Sequence, residues 1–461
     1  MTNVAPFSYR DLQAVIGYAA AHLPADISIV GVSTDSRTLT DGNVFIALRG
    51  ERFDGHDHVD RVLREGNASC AVVSEDYLHH AAADLRPRLI GVPDTLRALG
   101  SFAWWHRRRF GIPVIAIAGA AGKTSTKELT AAVVSQAFRV LKTEANYNNQ
   151  VGTPLTLLQL AAEHQAAVIE IGTNEPGEIE LLSAMVQPTH GLITNIGKEH
   201  LEKLIDLDGV EREETALFDY LNDHDGLAFV NADDERLRTY ERKVGRTITF
   251  GLDHDADIRI GVTFDASLLP VVHIIKDTFT FRARLATPGI AAARNAACAI
   301  AIGWSLQMSA DEVRVGLESY DPPASHGYAR MSVERMGGLT ILNDTYNANP
   351  ESMRVALDTL GRYPGTRRLA VLGDMRELGD ASEDEHMAIL GEAASHADAV
   401  IVTGDEFRRA VERLDAPHVL WCATHSGCVE QIRSLAGTEA IILVKGSRGM
   451  TMEKVIALLH E

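Results

Sequence analysis

The segment from Val114 to Ser125 is the feature that most constrains how this chain folds. It reads VIAIAGAAGKTS, an apolar run followed directly by a glycine-rich turn and then by Lys-Thr. That order is typical of a buried strand, a phosphate-binding loop and the start of a helix. The long form of this motif has a glycine five residues before Gly122, where Ile117 stands, so the match is to a shortened loop.

This loop predicts an ATP site. Its glycines let backbone N–H groups approach phosphate oxygens, and the start of the helix adds partial positive charge. Lys123 would reach the terminal phosphates, and the hydroxyl of Thr124 would bind Mg²⁺. A plain glycine turn is the alternative, but Lys-Thr at a helix start argues against it. The predicted ATP-binding residues are Gly119, Ala120, Ala121, Gly122, Lys123, Thr124 and Ser125.

The pattern of apolar runs predicts an α/β fold. Apolar strands recur at 167–171, 191–196 and 227–231, with helical stretches between them. Alternating strands and helices indicate a parallel sheet covered on both faces. Residues 257–286 instead alternate apolar and polar side chains without helices, as an antiparallel insert does.

The length of 461 residues is too great for one typical core and suggests two to four domains. Two boundaries in the sequence predict three. We expect a small α/β N-terminal domain (1–93), a central domain with a P-loop-type parallel sheet and the antiparallel insert (94–320), and a C-terminal Rossmann-like α/β domain (321–461). The second boundary is set by the turn-rich segment 321–327, DPPASHG. The last domain has no GxGxxG after its first strand, so a dinucleotide site is not expected there.

Charge and composition exclude several classes of protein. With 44 Lys and Arg against 63 Asp and Glu, the net charge is −19, which argues against broad nucleic-acid binding. The basic run 106–109 is interpreted as a helix end. No apolar run is long enough to span a bilayer, and the N-terminus has no signal-peptide pattern, so a cytoplasmic protein is expected. The four cysteines are expected to be reduced thiols.

Acidic and histidine side chains follow two of the predicted strands. Glu170 ends the strand in VIEIGTN, and His200 follows the next one in TNIGKEHLE. Because the carboxyl ends of parallel strands lie at one edge of a sheet, both are placed to bind Mg²⁺ together with Thr124. The alternatives are a solvated strand end for Glu170 and a structural or exposed side chain for His200.

Polar loops suggest further ligand contacts. Asn146 and Asn149 lie in EANYNNQVGTP, which fits either a turn or a polar substrate. In the last third of the chain, polar residues again follow apolar strands, at the edge where such sheets bind ligands. These residues are Asp344, Asn347, Asn349, Lys445, Ser447 and Arg448.

Taken together, these motifs resemble the Mur ligases, and within that family the branch that adds D-alanyl-D-alanine. The resemblance covers nearly the whole chain, and the shortened phosphate loop is the family's own form. It rests on VSTDSR, NVFIALRGERFDGHDHV, GAAGKTSTKE, NYNNQVGTP, EIGTNEPGEIE, TNIGKEHLE, NDTYNANPESM, LGDMRELG and VKGSRGMTME.

The resemblance implies an ATP-dependent, ADP-forming ligase of peptidoglycan precursor synthesis. Such an enzyme uses Mg²⁺ and ATP to phosphorylate the terminal carboxylate of UDP-N-acetylmuramoyl-tripeptide. D-alanyl-D-alanine then attacks the acyl phosphate. The third domain is expected to close over ATP, and a monomer is expected.

The resemblance also implies roles for individual residues. The catalytic set is Lys123, Glu170, His200 and Arg330. The residues that reach ATP from outside the loop are Asn295, Arg330 and Asp344. Ser36 and Arg37 belong to the UDP-binding segment. The other substrate-binding residues are Asn146, Asn149, Asn347, Asn349, Lys445, Ser447 and Arg448.

One departure from the family concerns the second metal. The family has a carbamoylated lysine at the position of Glu214, in the segment 211–216, EREETA. We expect Glu214, helped by Glu213, to supply the metal-binding carboxylate directly. A solvated acidic helix face is the alternative. Two other functions remain open: a related ligase with a different amine or carboxylate substrate, and a catalytically weak nucleotide-binding homologue.

Overall fold

The structure is a computed structural model. It describes residues 3–17, 22–23, 26–51, 53–65, 68–265, 269–321, 329–363, 367–413 and 418–461. The chain forms two compact units. The first comprises 1–117, 138–173 and 177–191, and the second comprises 118–137, 174–176 and 192–461. Most of the turn-rich segment on which the second domain boundary was placed, residues 322–327, lies outside the described residues.

The strands and helices alternate along most of the chain. The strands are β1 (Pro6–Ser8), β2 (Ser28–Val30), β3 (Val32–Ser33), β4 (Asn43–Ile46), β5 (Ala68–Ser74), β6 (Leu89–Val92), β7 (Val114–Ala118), β8 (Val140–Lys142), β9 (Ala166–Glu170), β10 (His190–Ile193), β11 (Leu227–Asn231), β12 (Thr247–Gly251), β13 (Ile258–Arg259), β14 (Gly261–Phe264), β15 (Pro270–Lys276), β16 (Phe279–Arg284), β17 (Ser332–Met336), β18 (Leu339–Asp344), β19 (Arg368–Gly373), β20 (Ala399–Thr403), β21 (Val419–Cys422) and β22 (Ala440–Lys445). The α-helices are α1 (Tyr9–Ile16), α2 (Val59–Arg64), α3 (Glu75–His80), α4 (Thr95–Arg107), α5 (Lys123–Val134), α6 (Gly152–Leu157), α7 (Glu178–Val186), α8 (Leu201–Leu204), α9 (Leu207–Asp223), α10 (Ile290–Ser305), α11 (Ala310–Ser319), α12 (Pro350–Arg362), α13 (Ser382–His396), α14 (Asp405–Arg413), α15 (His425–Leu435) and α16 (Glu453–Leu459).

The first ninety residues form a small α/β sheet, as predicted. Strands β3, β4, β5 and β6 pair in that order and run parallel. Strands β1 and β2 form a separate antiparallel ribbon. All four residues of β4 are buried, and Phe45 packs in an apolar cluster with Val59, Val62 and Leu63 from the α2 region. The apolar side of α2 therefore covers one face of this sheet.

The central sheet places the glycine-rich loop at a turning point of its topology. Its strand order is β13-β12-β11-β10-β7-β9-β8. After β7 the chain first builds β8 and β9 on one side and then β10 to β13 on the other. Ligands bind at such switch points in open α/β sheets, outside the carboxyl ends of the strands. All five residues of β7 are fully buried, which explains the apolar run and confirms the predicted strand at its predicted bounds.

The antiparallel insert is confirmed but begins later than predicted. Strands β14, β15 and β16 form a three-stranded antiparallel sheet. Residues of β16 alternate buried and exposed, which produced the period-two pattern in the sequence. The predicted bounds 257–286 were wrong at the start, because β13 pairs in parallel with β12 of the central sheet. Because β13 has only two residues, its side-chain pattern cannot indicate which sheet it joins.

The C-terminal sheet has the predicted Rossmann-like form. Its order is β17-β18-β22-β19-β20-β21, and every pairing is parallel except that of β17 with β18. Apolar residues cover both faces. One cluster includes Leu342 and Leu357, and the other includes Ile341 and Ile432. The antiparallel edge strand β17 was not predicted, because its residues are only half buried and carry no apolar run.

The basic run after α4 is a helix end, as interpreted from the sequence. Helix α4 stops at Arg107, within the basic run. The buried guanidinium of Arg107 donates to the carbonyls of Val186 at 3.0 Å and Gln187 at 3.1 Å, and also to Phe110 at 2.6 Å. The Arg107 guanidinium therefore binds backbone carbonyls inside the protein.

Two further expectations can be compared with the structure. The four cysteines are buried and free. Within the described part of the chain, no helix combines the length and the apolar character that a bilayer crossing requires.

We predict that Arg107→Ala lowers the free energy of unfolding by about 2–3 kcal/mol, because buried carbonyl acceptors lose their donor. Arg108→Ala is the matched control, since Arg108 is exposed and stacks on Trp104 at 4.5 Å. Its expected cost is about 1 kcal/mol or less. Urea unfolding of both variants measures the difference, and equal losses would contradict the role given to Arg107.

Candidate functional site

The turn after β7 is tight enough to require glycine at two positions. Gly119 has φ +114°, and a Cβ there would lie 2.3 Å from Thr194 Oγ1 and 2.7 Å from the Thr194 backbone nitrogen. Gly122 has φ +85° and immediately precedes α5, which begins at Lys123. Both conformations are accessible to glycine and strained for other residues. The backbone thus turns from a buried strand into a helix start, as the sequence predicted.

Asn195 fixes the middle of this turn, and sequence reasoning missed it. Its Oδ1 accepts from the backbone N–H of Ala121 at 3.1 Å, and its Nδ2 donates to the Ala121 carbonyl at 2.8 Å. The Asn195 carbonyl also accepts from Ala120 N–H at 3.0 Å. An amide that follows a strand in the same sheet was the available signal, because it lies at the edge where β7 ends.

Lys123 is held close to the turn. Its Nζ donates to Glu199 Oε2 at 3.1 Å and to the carbonyl of Gly119. The side chain is mostly buried, and that of Glu199 is 6% exposed. An ammonium group at the start of a helix after a glycine turn is suited to bind phosphate. Glu199 was not singled out in the sequence, because it looked like one charge in the run KEHLEK.

Glu214 lies against the same turn. Its Oε2 accepts from the backbone N–H of Gly119 at 2.7 Å, and the residue is 0% exposed. Burial, followed by the neighbouring charge of Glu199, raises the pKa of Glu214 well above its ordinary value. The alternative of a solvated acidic helix face is therefore wrong for Glu214. Helix α9 carries this carboxyl group into the protein.

His200 begins the short helix α8 in a left-handed backbone conformation, with φ +49°. Its Nδ1 lies 2.7 Å from Glu377 Oε2, and its Nε2 lies 3.9 Å from Glu199 Oε2. The contact with His200 is the main cause that lowers the pKa of Glu377. The predicted metal-binding histidine is thus close to Glu199 and partly exposed.

Glu170 lies at the carboxyl end of β9, opposite Ile117 in the register of the sheet. It is 1% exposed, and its Oε1 accepts from Asn148 Nδ2 at 2.8 Å. The alternative of a solvated strand end is therefore wrong. Because Ile117 is two residues before Gly119, the register places Glu170 beside the strand that leads into the turn.

The two other asparagines of the 146–149 loop are exposed. Asn149 Oδ1 accepts from the backbone N–H groups of Val151 at 3.1 Å and Gly152 at 2.9 Å, at the start of α6. This is the turn role that the sequence left open. Asn146 accepts through its backbone carbonyl from Asn148 at 2.8 Å. Contact of Asn146 and Asn149 with a substrate stays a prediction.

Asn295 lies on α10 and contacts α5, the helix that follows the loop. Its Oδ1 accepts from Thr126 Oγ1 at 3.1 Å and lies 3.1 Å from the position of a Cβ on Gly122. Thr124 and Ser125 lie in the first turn of α5 and are half buried. Asn295, which the resemblance predicts to reach ATP, is therefore near the loop, and its amide oxygen already accepts a hydrogen bond from Thr126.

The C-terminal candidates form one cluster at the ends of β18 and β22. Lys445 Nζ donates to Asp344 Oδ2 at 2.6 Å and to the Asn347 carbonyl at 2.9 Å. The Arg448 backbone N–H donates to Asn347 Oδ1 at 3.2 Å. Ser447 Oγ donates to the backbone carbonyl of Ala348 at 3.1 Å. The strand ends therefore bring together residues separated by about a hundred positions, as the sequence predicted.

Two members of the C-terminal set have additional contacts. The Arg330 guanidinium lies over the ring of Tyr346, 3.8 Å from its centroid. Asn349 caps α12, because its Oδ1 accepts from Ser352 N–H at 2.9 Å. Its Nδ2 is also 3.4 Å from the carbonyl of Ala120 in the loop. Asn349 thus has a structural role besides the predicted ligand role.

Ser36 and Arg37 lie in the N-terminal region, shortly after β3. Ser36 Oγ accepts from Arg61 Nη2 at 2.9 Å. The exposed Arg37 pairs with Asp35 at 2.8 Å, and this hydrogen bond lowers the pKa of Asp35 to about 2. The arginine keeps most of its surface open to solvent, so it can bind an anionic group.

The predicted metal ligands do not form a ready cage. Over the residues that the structure describes, no three His, Cys, Asp or Glu side chains come together closely enough to hold a metal ion. Mg²⁺ usually keeps several waters and is bound by one or two carboxylates plus phosphate oxygens. Among the described residues no donor reaches Glu214 Oε1, and the carboxyl group of Glu199 lies beside it, so acidic oxygens are available for such an ion.

Comparison with known proteins identifies three matching regions. Residues 28–103 match the Mur ligase family catalytic domain, 117–303 the Mur ligase middle domain, and 329–448 the Mur ligase glutamate ligase domain. The chain is 34% identical over 447 residues to UDP-N-acetylmuramoyl-tripeptide–D-alanyl-D-alanine ligase of Escherichia coli, covering 95% of both chains.

Solved structures show the same fold. A crystal structure of MurF from Acinetobacter baumannii superposes with a TM-score of 0.88 at 29% identity and 99% coverage of both chains. The MurF ligase of Thermotoga maritima in complex with ADP has a TM-score of 0.83 at 24% identity, with 93% of this chain and 96% of that chain covered. Because the sequence matches over nearly the full length and the architecture is the same, this chain belongs to the Mur ligase family.

Proposed function

We propose that this protein joins D-alanyl-D-alanine to UDP-N-acetylmuramoyl-tripeptide in an ATP-dependent, ADP-forming reaction of peptidoglycan precursor synthesis. The γ-phosphoryl group of ATP moves to the terminal carboxylate of the tripeptide, giving ADP and an acyl phosphate. The amine nitrogen of D-alanyl-D-alanine then attacks the carbonyl carbon, and inorganic phosphate leaves. The names of the full-length relatives support this assignment.

The observation that carries the proposal is the turn from Gly119 to Thr124 at the switch point of the central sheet. Phosphoryl transfer requires positioning and charge neutralisation more than covalent help. Backbone N–H groups of the turn and of the α5 start supply fixed dipoles, and Lys123 supplies a full charge. On ATP binding, the Lys123 ammonium would exchange Glu199 and the Gly119 carbonyl for phosphate oxygens.

Mg²⁺ belongs to the proposal as the cofactor. Thr124, Glu170, His200 and Glu214 are the residues proposed to hold it. Bound there, Mg²⁺ would neutralise charge on the β- and γ-phosphates and align the γ-phosphoryl group with the carboxylate. Both proposed carboxylates are buried, and His200 Nδ1 contacts Glu377, which leaves Nε2 to face a metal ion.

The other ligand contacts follow the clusters in each part of the chain. Asn295, Arg330 and Asp344 are proposed to contact ATP. Ser36 and Arg37 are proposed to bind the UDP portion, for which the exposed guanidinium of Arg37 is suited. The remaining substrate-binding residues are proposed to be Asn146, Asn149, Asn347, Asn349, Lys445, Ser447 and Arg448.

The proposal also covers the domain division, the oligomeric state and the cellular location. The division into domains 1–93, 94–320 and 321–461 is supported by the three matched family regions, and closure of the last domain over ATP would exclude water. A monomer is proposed because one chain carries all three regions. The cytoplasm is proposed as the location because ATP and nucleotide-linked precursors are cytoplasmic compounds.

We predict that phosphate release from ATP requires both UDP-N-acetylmuramoyl-tripeptide and D-alanyl-D-alanine, because the acyl phosphate needs both a carboxylate and an amine partner. Phosphate release and the mass of the product are measured together. Release without either substrate, or equal rates with unrelated amino acids, would reject the assignment. The first result would point to an ATPase-like homologue and the second to a ligase with another acceptor.

Lys123→Ala is expected to cost about 3 kcal/mol or more of transition-state stabilisation, by analogy with the loss of one oxyanion donor. That corresponds to a loss of roughly 100-fold or more in kcat/KM. The exposed Lys454→Ala serves as the control for removal of one positive charge. Near-parental turnover in Lys123→Ala would contradict the phosphate-loop role.

A further inference from the structure

Two buried carboxyl groups face the phosphate loop from different elements. Glu199 precedes α8, and Glu214 lies within α9. Glu199 Oε2 accepts from Lys123 Nζ at 3.1 Å, and Glu214 Oε2 accepts from Gly119 N–H at 2.7 Å. The second oxygen of each, Oε1, is buried and has no hydrogen-bond donor among the described residues. The two carboxyl groups also contact each other, so either a shared proton or a cation must offset their charges.

The arrangement of charges around the loop changes when a nucleotide binds. Lys123 is the ammonium that faces both Glu199 and Glu214. When Lys123 turns to the phosphates of a nucleotide, the two carboxylates lose that charge. A divalent cation would restore the balance, since breaking a buried ion pair otherwise leaves uncompensated charge.

His200 provides a third group with suitable geometry. Its Nδ1 contacts Glu377 Oε2 at 2.7 Å, and its Nε2 lies 3.9 Å from Glu199 Oε2. A carboxylate that accepts from Nδ1–H fixes the tautomer, so the Nε2 lone pair is directed away from Glu377. Ligands of an octahedral Mg²⁺ with bonds of about 2.1 Å are roughly 3 Å apart when adjacent and about 4.2 Å apart when opposite. The observed 3.9 Å, measured to the oxygen that accepts from Lys123, lies between these two values, so a small side-chain shift would let His200 and Glu199 bind one ion.

We propose that Glu199 is a further Mg²⁺ ligand and that it forms a two-carboxylate site with Glu214 beside the phosphate loop. The inference rests on the proposed function for its role in ATP use, but metal binding itself does not. Two carboxylates plus phosphate oxygens and water complete the coordination that Mg²⁺ prefers. The protein's own side chains thus supply both negative charges, so metal binding needs no carbamate formed from carbon dioxide.

The test measures Mn²⁺ binding to the full chain by electron paramagnetic resonance, with and without ADP, in buffer free of bicarbonate. Parent protein should bind Mn²⁺, and Glu199→Gln and Glu214→Gln should each weaken binding about 10- to 100-fold, the range for removing outer-shell partners of a metal site. Glu199→Asp should recover part of the affinity. Glu202→Gln, an exposed neighbour with the same charge change, should bind as the parent does.

Each contrary result overturns the proposal. Parental Mn²⁺ affinity in Glu199→Gln would show that Glu199 only holds Lys123. A parent that binds no Mn²⁺ at millimolar concentration in either nucleotide state would remove the site, as would a requirement for added bicarbonate. Thermal unfolding of each variant controls for misfolding, and Glu199→Asp keeps the test valid if the glutamine variant is unstable. The two-substrate ligation assay is run separately, so a parent that binds Mn²⁺ through Glu199 without ligating would reject only the proposed function.

Discussion

The close approach of Gly119 to the neighbouring strand exit is the constraint on which the site depends. No side chain fits between Gly119 and Thr194, so β7 and the chain after β10 lie in direct backbone contact. That contact lets Asn195 hold Ala120 and Ala121 by three hydrogen bonds and lets Gly119 N–H reach Glu214. The turn is therefore preorganised before any ligand arrives, which lowers the cost of aligning phosphates.

In this turn, some residues fix the backbone conformation and others carry the charges of the site. Asn195 and the two glycines set the backbone path, while Lys123, Glu199 and Glu214 form a buried charge cluster around it. In the resting arrangement the ammonium is neutralised within the protein. On binding of a triphosphate and a divalent cation, Lys123 would pair with phosphate oxygens and the cation with the carboxyl groups. Glu214 thus lies beside a second buried acidic residue, Glu199.

Much of the fold could be predicted from the sequence, because buried parallel strands have continuous apolar runs and glycine turns have few alternatives. Strands β7 and β11 were predicted at their observed bounds. The edge strands β13 and β17 were missed, since short or half-buried strands show no periodicity. In the site, strand exits predicted Glu170, His200 and Asp344. Asn195 and Glu199 were missed, because each acts through contacts across the fold that no local pattern records.

The central claim is that backbone amides at the start of α5, with Lys123, hold the triphosphate beside the acceptor carboxylate. Its most direct test is a crystal structure of the protein with a non-hydrolysable ATP analogue and Mg²⁺. The account predicts β- and γ-phosphates on the turn from Gly119 to Thr124, with Lys123 moved from Glu199 to a phosphate oxygen. A nucleotide bound elsewhere, with this turn empty and Lys123 still on Glu199, would contradict it.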